Sequence, residues 1–298
     1  GALAENTVLQ DISLFGNEID AEGAAIISTM LANKKSLKTL GLSNNIIGQG
    51  GARELAANCL RELTSLSRLA LESNLIGNVG LEAVAQALLH NTSLTEIFLY
   101  NNDLDDDTMA QFAEMLTNKA SLQTLGLEYN RIRSRGFNHV FNALKLLPRF
   151  ERLFCSHNLL SEESATELEQ LLSISTSLKE IRLNNNTQIG DTAGLSIAKG
   201  LLRSKSIRVC HISDTKISGQ SALKLCEVIR RAGSTLKDLD ISNNLIIMDD
   251  IEMLANAFKE SRIECLNIRN NIVSAEEIVA FEHLLVPVST MTKRKFIF

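Results

Sequence analysis

One eleven-residue pattern recurs along the chain and constrains its fold more than any other feature. Within residues 94–104, Leu or Ile fills the first, fourth, sixth and eleventh places and asparagine the ninth, giving L-x-x-L-x-L-x-x-N-x-L. The pattern begins at intervals of 27 to 29 residues near Leu9, Leu37, Leu66, Leu94, Leu122, Phe150, Leu178, Ile207, Leu236 and Ile263. So constant a period predicts an array of stacked, equivalent units.

Each unit is expected to hold one strand and one helix. The first half of the pattern places inward apolar residues at the fourth and sixth places, two residues apart as on one face of a strand, whereas residues 80–89 place Leu81, Val84, Ala85 and Leu88 on one helical stripe. Parallel strands lie about 4.8 Å apart and helices are about 10 Å across, so such a stack must curve. We therefore predict one α/β solenoid domain over residues 1–298, with a concave parallel sheet and convex helices.

The two ends of the chain depart from the repeat. Residues 2–8 are expected to end a helix of a preceding repeat, and residues 275–285 to form a last helix that Pro287 stops. Residues 287–298 form a C-terminal cap or tail, for which two interpretations remain open. In the first interpretation, residues 287–298 contain an eleventh strand whose Phe296 and Phe298 cover the end of the core. In the second, these residues form a flexible tail.

The recurring asparagine has a structural explanation. Its amide carries donors and an acceptor, so it can satisfy backbone groups at a buried turn, and aligned asparagines would form a ladder. Thr215 replaces it in the eighth repeat, and the seventh repeat carries one extra residue between Asn186 and Ile189. We therefore predict a weaker connection between these two repeats.

Composition excludes several functions. The net charge of −5 argues against nonspecific nucleic-acid binding, and no apolar run approaches the roughly 20 residues of a membrane span. Five scattered cysteines without C-x-x-C pairs are typical of reduced thiols in the cytoplasm. The five histidines lack metal-ligand spacing. We expect no enzyme activity, no metal and no cofactor.

The pattern with a full helix in each unit of 28 to 29 residues resembles the leucine-rich repeats of the ribonuclease-inhibitor-like subfamily. Residues 90–94, followed by a strand, are similar to the repeats of NOD-like receptors. The resemblance covers essentially the whole chain. It implies a leucine-rich repeat solenoid that binds a protein partner through its concave sheet and the adjoining loops.

Candidate binding residues lie at the third, fifth, seventh and eighth places, which should face the concave side. Aromatic residues cluster there in the fourth to sixth repeats, at Phe98, Tyr100, Tyr129, Phe154 and His157. Glu72, Glu96 and Glu128 are expected to border this cluster on one side, and Arg152 and Arg182 on the other. Exposed aromatic side chains suit a binding hot spot. The alternative is that the aromatic rings pack laterally and that the charges keep the face solvated or pair with one another laterally.

The leading hypothesis is a non-catalytic interaction module, or scaffold, that binds a protein in the cytoplasm. One alternative is a small-GTPase regulator, since Ran GTPase-activating proteins resemble this chain in repeat type. Another is the sensing part of a larger receptor, or a pathogen effector acting in the host cytosol.

Overall fold

The computed structural model describes residues 6–274, 276–277 and 294–297. Contacts within the chain divide it into two compact units, Gly1–Asn158 and Leu159–Phe298. The single domain expected from the sequence stays a prediction, and each unit is described by itself.

The first unit alternates strands with helices among its described residues. Its six strands are β1 (Asp11–Ser13), β2 (Thr39–Gly41), β3 (Arg68–Ala70), β4 (Glu96–Phe98), β5 (Thr124–Gly126) and β6 (Arg152–Phe154). Its helices are α1 (Ala21–Leu31), α2 (Gly48–Leu55, continued by a π-helical turn Ala56–Leu60), α3 (Gly77–Leu88), α4 (Met109–Thr117) and α5 (Ser134–Leu144). Neighbouring strands run parallel, with Leu40 beside Leu69 and Leu69 beside Ile97.

The second unit repeats the same alternation. Its strands are β7 (Glu180–Arg182), β8 (Val209–His211), β9 (Asp238–Asp240), β10 (Cys265–Asn267) and β11 (Lys295–Ile297), paired in that order and parallel. Its described helices are α6 (Ala165–Ile174), α7 (Gly190–Arg203), α8 (Gly219–Arg230) and α9 (Met248–Lys259).

The core consists of the places that the pattern reserves for apolar residues. Leu94, Ile97, Leu99 and Leu104 are each at most 1% exposed. The helical stripe of Leu81, Val84, Ala85 and Leu88 is at most 3% exposed. Burying one such leucine stabilises the fold by about 2 kcal/mol. The predicted fold class, an α/β repeat fold in which parallel strands alternate with helices, is confirmed for the described residues.

Asparagine side chains connect consecutive repeats. The Asn102 amide donates to the carbonyl oxygens of Leu71 (2.9 Å) and Leu99 (3.1 Å), which lie in the preceding repeat and in its own. Its Oδ1 accepts from the backbone N–H of Asn74 at 3.1 Å. Asn102 is fully buried, so these backbone groups have no water to bond. The predicted ladder is present.

The described part of the C-terminal segment forms a strand. Residues 295–297 pair with β10, and the Phe296 and Phe258 rings lie 5.4 Å apart. Arg294 Nε donates to the carbonyl oxygen of Ile263 at 2.8 Å. Of the helix predicted at 275–285, only 276–277 are described, and they are helical. Residues 6–8 are not helical; the remaining end residues, including Phe298, lie outside the described part.

All five cysteines are free thiols, and burial raises the pKa of Cys210 to about 12. Cys155 and Cys210 are fully buried at inward strand places, as their positions in the pattern predict. Among the described residues, no helix combines the length and apolar character needed to cross a membrane.

The ladder yields a stability prediction. Asn102→Ala should lower the free energy of unfolding by about 3 kcal/mol, because it leaves several buried backbone groups without partners. Asn17→Ala is the matched control at the same place of the pattern, where the side chain is exposed and donates to Phe15. It should cost less than about 1 kcal/mol. Urea unfolding measures both values, and equal losses would contradict the explanation.

The eighth repeat yields a second prediction. Thr215 Oγ1 donates to the carbonyl oxygen of Ile212 at 2.7 Å, within its own repeat. Within the described residues its side chain makes no bond to the seventh repeat, unlike a ladder asparagine. The hydrogen bond that is missing here would contribute about 1 kcal/mol to the stability of the seventh repeat. Amides at 186–190 should therefore exchange about fivefold faster than those at 215–219. Native-state hydrogen exchange showing equal protection in both stretches would refute the weaker connection.

Candidate functional site on the sheet face of the first unit

The sheet face is the surface of β1–β6 formed by the third, fifth, seventh and eighth places of the pattern. Nine of the ten candidate binding residues belong to this unit. The tenth, Arg182, lies in the second unit, where its Nη2 is 2.6 Å from Glu180 Oε1. The candidate site is therefore described for the first unit alone.

Glu96 is the centre of a charge cluster on this face. Arg68 pairs with its Oε2, and Arg152 Nη2 lies 3.3 Å from its Oε1. Arg152 crosses β5 to reach it, and its Nε donates to Thr124 Oγ1 at 3.0 Å. Arg152 therefore pairs with Glu96 across the sheet, which is the lateral pairing that the sequence left open as the alternative to two separate charged borders. Exposed ion pairs of this kind contribute less than about 1 kcal/mol each.

The Phe98 ring lies against Gly126 of the next strand. A Cβ placed on Gly126 would be 3.0 Å from Phe98 Cδ1, so the ring occupies the space that a larger side chain would fill. Arg68 Cζ lies 4.8 Å from the Phe98 ring centroid. In register across the sheet, Ala70, Phe98, Gly126 and Phe154 alternate small and large. Phe98 and Phe154 are both half-buried, so lateral packing explains part of the aromatic cluster.

Arg68 and Gly126 both take part in this packing, although neither belongs to the ten candidate residues. Arg68 belongs to the third repeat, outside the aromatic cluster in sequence, and a glycine suggests no contact of its own. The available signal was the alternation of large and small residues at the fifth place across consecutive repeats.

Glu72 is a buried carboxylate at the seventh place. It was expected to face solvent, but it is only 6% exposed. Its carboxylate accepts a hydrogen bond from the Ser43 hydroxyl and interacts with the Tyr100 hydroxyl. Burial raises the pKa of Glu72 above its ordinary value. The pKa of Tyr100 is also raised, first by burial and then by the negative charges of Glu72 and Glu128.

Tyr129 and His157 occupy the eighth place, where the backbone is left-handed. Their φ angles are 54° and 56°. The other repeats carry small or polar residues at this place, also at positive φ: Gly16, Asn44, Ser73, Asn101, Asn185, Asp214, Asn243 and Asn270. Asparagine and glycine adopt this conformation readily, whereas a bulky side chain there costs about 1–2 kcal/mol.

The two rings stack on each other. Their centroids are 4.0 Å apart and their planes differ by 11°. An aromatic pair of this kind stabilises by about 0.5–1.5 kcal/mol beyond its buried area. Tyr129 nevertheless remains 57% exposed, and His157 is half-buried. One ring face of Tyr129 is covered, and a large part of the side chain still meets solvent.

Acidic residues in the loop after β4 cap the N-termini of helices. Asp105 Oδ1 accepts from the backbone N–H of Asp107 at 3.0 Å. Asp106 Oδ1 accepts from the N–H of Arg133 at 2.8 Å, at the start of α5 in the next repeat. Asp191 does the same in the second unit, accepting from the N–H of Ser218 at 2.9 Å before α8. Helix N-termini favour such carboxylates. No metal-binding group occurs among the described residues.

Comparison with known sequences identifies the repeat. A family profile described as Leucine Rich repeat matches residues 5–28, 62–85 and 175–198. NACHT, LRR and PYD domains-containing protein 3 of Mus musculus is 26% identical over 217 residues, which cover 72% of this chain and 21% of that protein. Ribonuclease inhibitor of Sus scrofa is 24% identical over 276 residues, covering 92% of this chain and 60% of that protein. The chain thus spans about a fifth of the first relative and three fifths of the second.

Comparison with solved structures supports the fold. A structure described as an octameric complex of Latrophilin 3, Unc5D and FLRT2 (LRR) contains a chain with a TM-score of 0.53 and 21% identity, covering 95% of this chain and 82% of that one. The repeat pattern, the strand–helix units and these relatives agree. The chain has a leucine-rich repeat fold, and its sequence is similar to ribonuclease inhibitor and to NACHT, LRR and PYD domains-containing protein 3.

Proposed function

We propose that the first unit binds a protein partner through its sheet face, with Tyr129 and His157 at the centre of the contact, and that it acts without catalysis. The observation that carries this proposal is the pair of stacked rings at a backbone position where other repeats use glycine, serine, asparagine or aspartate. Backbone strain retained at one surface is typical of functional sites.

Lateral packing alone accounts poorly for these two residues. Asparagine at both positions would relieve the strain, and the stacking energy at best offsets a similar cost. Packing would also favour a buried ring, whereas Tyr129 is 57% exposed. An exposed, rigid aromatic side chain is instead what binding hot spots contain. Phe98 and Tyr100 on the neighbouring repeat extend the aromatic surface.

Glu72 supports the proposal through its effect on stability. Because its pKa is raised in the folded chain, the ionised form is disfavoured relative to the unfolded chain. The carboxylate therefore opposes folding at neutral pH, and this cost disappears as pH falls through the raised pKa. Perturbed titratable groups of this kind cluster at functional sites.

The relatives support partner binding in general terms. FLRT2 (LRR) is described in a complex with other proteins. The match to the Mus musculus NACHT protein covers most of this chain and a small part of that protein. That coverage favours a second candidate, in which this chain acts as the recognition part of a larger receptor. We place either form in the cytoplasm, supported by five free thiols.

Substitution of the stacked rings tests the site. Tyr129→Asn and His157→Asn install the residue that five other repeats carry at this place, so they should not lower the melting temperature. Affinity capture followed by quantitative mass spectrometry should show at least a tenfold loss of a partner recovered by the wild type. Phe15→Ala, which removes an exposed aromatic of the first repeat, is the matched control and should retain it. Undiminished recovery by both asparagine variants would refute the site.

Substitution of Glu72 tests the electrostatics. The free energy of unfolding of Glu72→Gln should exceed that of the wild type, and the excess should be largest at neutral pH, because glutamine cannot ionise. The difference in free energy of unfolding should shrink as pH falls through the raised pKa of Glu72. Urea unfolding between pH 4 and 8, at about half-unit steps, measures this difference. A difference that does not vary with pH would contradict the raised pKa.

A further inference from the structure

We propose that the loop edge of the second to fourth repeats docks a protein segment that carries a lysine beside an apolar side chain. The loop-edge surface consists of the exposed apolar residues Ile46, Leu75 and Val79 and of the polar cleft next to them. Ile46 and Leu75 occupy the tenth place of the pattern, directly after the asparagine, in the loops that follow the strands. A partner bound here is therefore additional to one bound at the sheet face.

Exposed apolar side chains lie side by side at this edge. Ile46 is 56% exposed and Leu75 is 63% exposed. Their loops are adjacent, since the Gly48 N–H donates to the carbonyl oxygen of Asn74 at 2.8 Å. Val79, near the start of α3, is 40% exposed. Neighbouring repeats therefore present one apolar patch to solvent, and exposed patches of this kind are typical of interaction sites.

Leu75 is a bulky residue with a left-handed backbone. Its φ angle is 56°. The other described residues with positive φ at the tenth place are polar: Glu18, Asp103 and Lys216. A leucine in this conformation is strained, and its exposed side chain does not offset the strain by burial. Strain retained at an exposed position is typical of functional sites.

A polar cleft of about 490 Å³ adjoins the apolar patch. Val79 belongs to both, and Asp103, which lines the cleft, occupies the tenth place in the repeat after Leu75. The volume lies within the range of ligand sites, about 300–1,000 Å³. A bound segment can therefore place one side chain on the patch and the next one in the cleft.

The lining of the cleft is negative. It contains four carboxylates, those of Glu82, Asp103, Asp105 and Asp107, and one guanidinium, that of Arg131. Arg131 Nη2 lies 2.7 Å from Asp103 Oδ1, so this ion pair leaves three carboxylates in excess. A cationic side chain of a partner complements such a surface.

Two of these carboxylates are free to bind a cation. Asp105 is occupied, because it accepts hydrogen bonds from the Asn78 amide and the Asp107 N–H, and the charge of Arg133 also acts on it. The carboxylates of Glu82 and Asp107 have neither a hydrogen bond nor an ion pair among the described residues. Glu82 is half-buried on α3, and Asp107 is exposed in the turn before α4.

The buried hydroxyl of Thr108 indicates a missing donor. Thr108 lines the cleft and is only 7% exposed, and its Oγ1 has no hydrogen-bond partner within the described part of the chain. Buried polar atoms are nearly always bonded. A lysine presents three N–H donors at the end of an apolar stem. Its stem would pack against Val79, and its donors match the two free carboxylates and this hydroxyl.

Fluorescence anisotropy of a labelled peptide tests the surface. The probe is fluorescein-Gly-Ser-Leu-Lys-Leu-Gly-Ser-amide. One control peptide replaces the lysine by glutamine, and the other replaces both leucines by serine. With the whole chain at low salt, we expect saturable binding of the probe with a Kd below about 1 mM. Each control peptide should bind at least about fivefold more weakly, because it lacks either the charge or the apolar groups.

Substitutions locate the bound peptide. Leu75→Asn removes the apolar side chain and installs a residue that tolerates left-handed backbone, so it should weaken binding at least about fivefold without lowering the melting temperature. Glu82→Gln should weaken binding by a similar factor. Leu245→Asn makes the first change at the tenth place of the ninth repeat, and Glu62→Gln makes the second at another exposed residue. Both controls should leave binding unchanged, and circular dichroism checks that each variant is folded.

Four results would overturn the inference: no saturable binding by the wild type, equal binding of the probe and either control peptide, full binding by Leu75→Asn or Glu82→Gln, or an equal loss in Glu82→Gln and Glu62→Gln. Tyr129→Asn separates this surface from the sheet face, because it should bind the probe as the wild type does. A loss in Tyr129→Asn equal to that in Leu75→Asn would place the peptide on the sheet face and would also overturn the inference.

Discussion

The fold depends on satisfying the backbone at a buried turn. Each repeat must leave its strand and reverse direction inside the structure, where water cannot bond the peptide groups. One asparagine side chain bonds carbonyl groups of its own repeat and of the one before it, as Asn102 does with Leu99 and Leu71. The turn conformation and the contact between repeats therefore have a common cause. The left-handed residue just before the asparagine follows from the same turn and is the position that carries the proposed site.

The sequence alone was sufficient for the repeat, the fold class and the inward residues. These depend on period and on apolar character, which one chain displays ten times. Leu94, Ile97, Leu99 and Leu104 are interchangeable with their equivalents, so each repeat is independent support for the assignment. The asparagine ladder was also predictable, because its function follows from the chemistry of an amide.

The surface was less predictable because its side chains contact residues 28 or more positions away. From its place in the pattern, Glu72 was expected to face solvent. In the structure it is buried and interacts with Ser43 and Tyr100 of the flanking repeats. Arg152 reaches Glu96 across an intervening strand, where its Nε donates to Thr124 Oγ1. The strain at Tyr129 could be seen only once its φ was known. The pattern marks that residue as variable, and nothing in its identity marks it as left-handed.

The caps at the helix ends restrict how such a chain can change in evolution. Asp106 caps α5, which belongs to the following repeat, and Asp191 likewise caps α8. A repeat is therefore completed by a residue that its predecessor encodes. Duplication or loss of a gene segment that begins and ends at the repeat boundary would join a helix to the wrong cap. Recombination that preserves stability should accordingly exchange segments beginning within the loop before such a carboxylate, so that the capping residue moves together with the helix it serves.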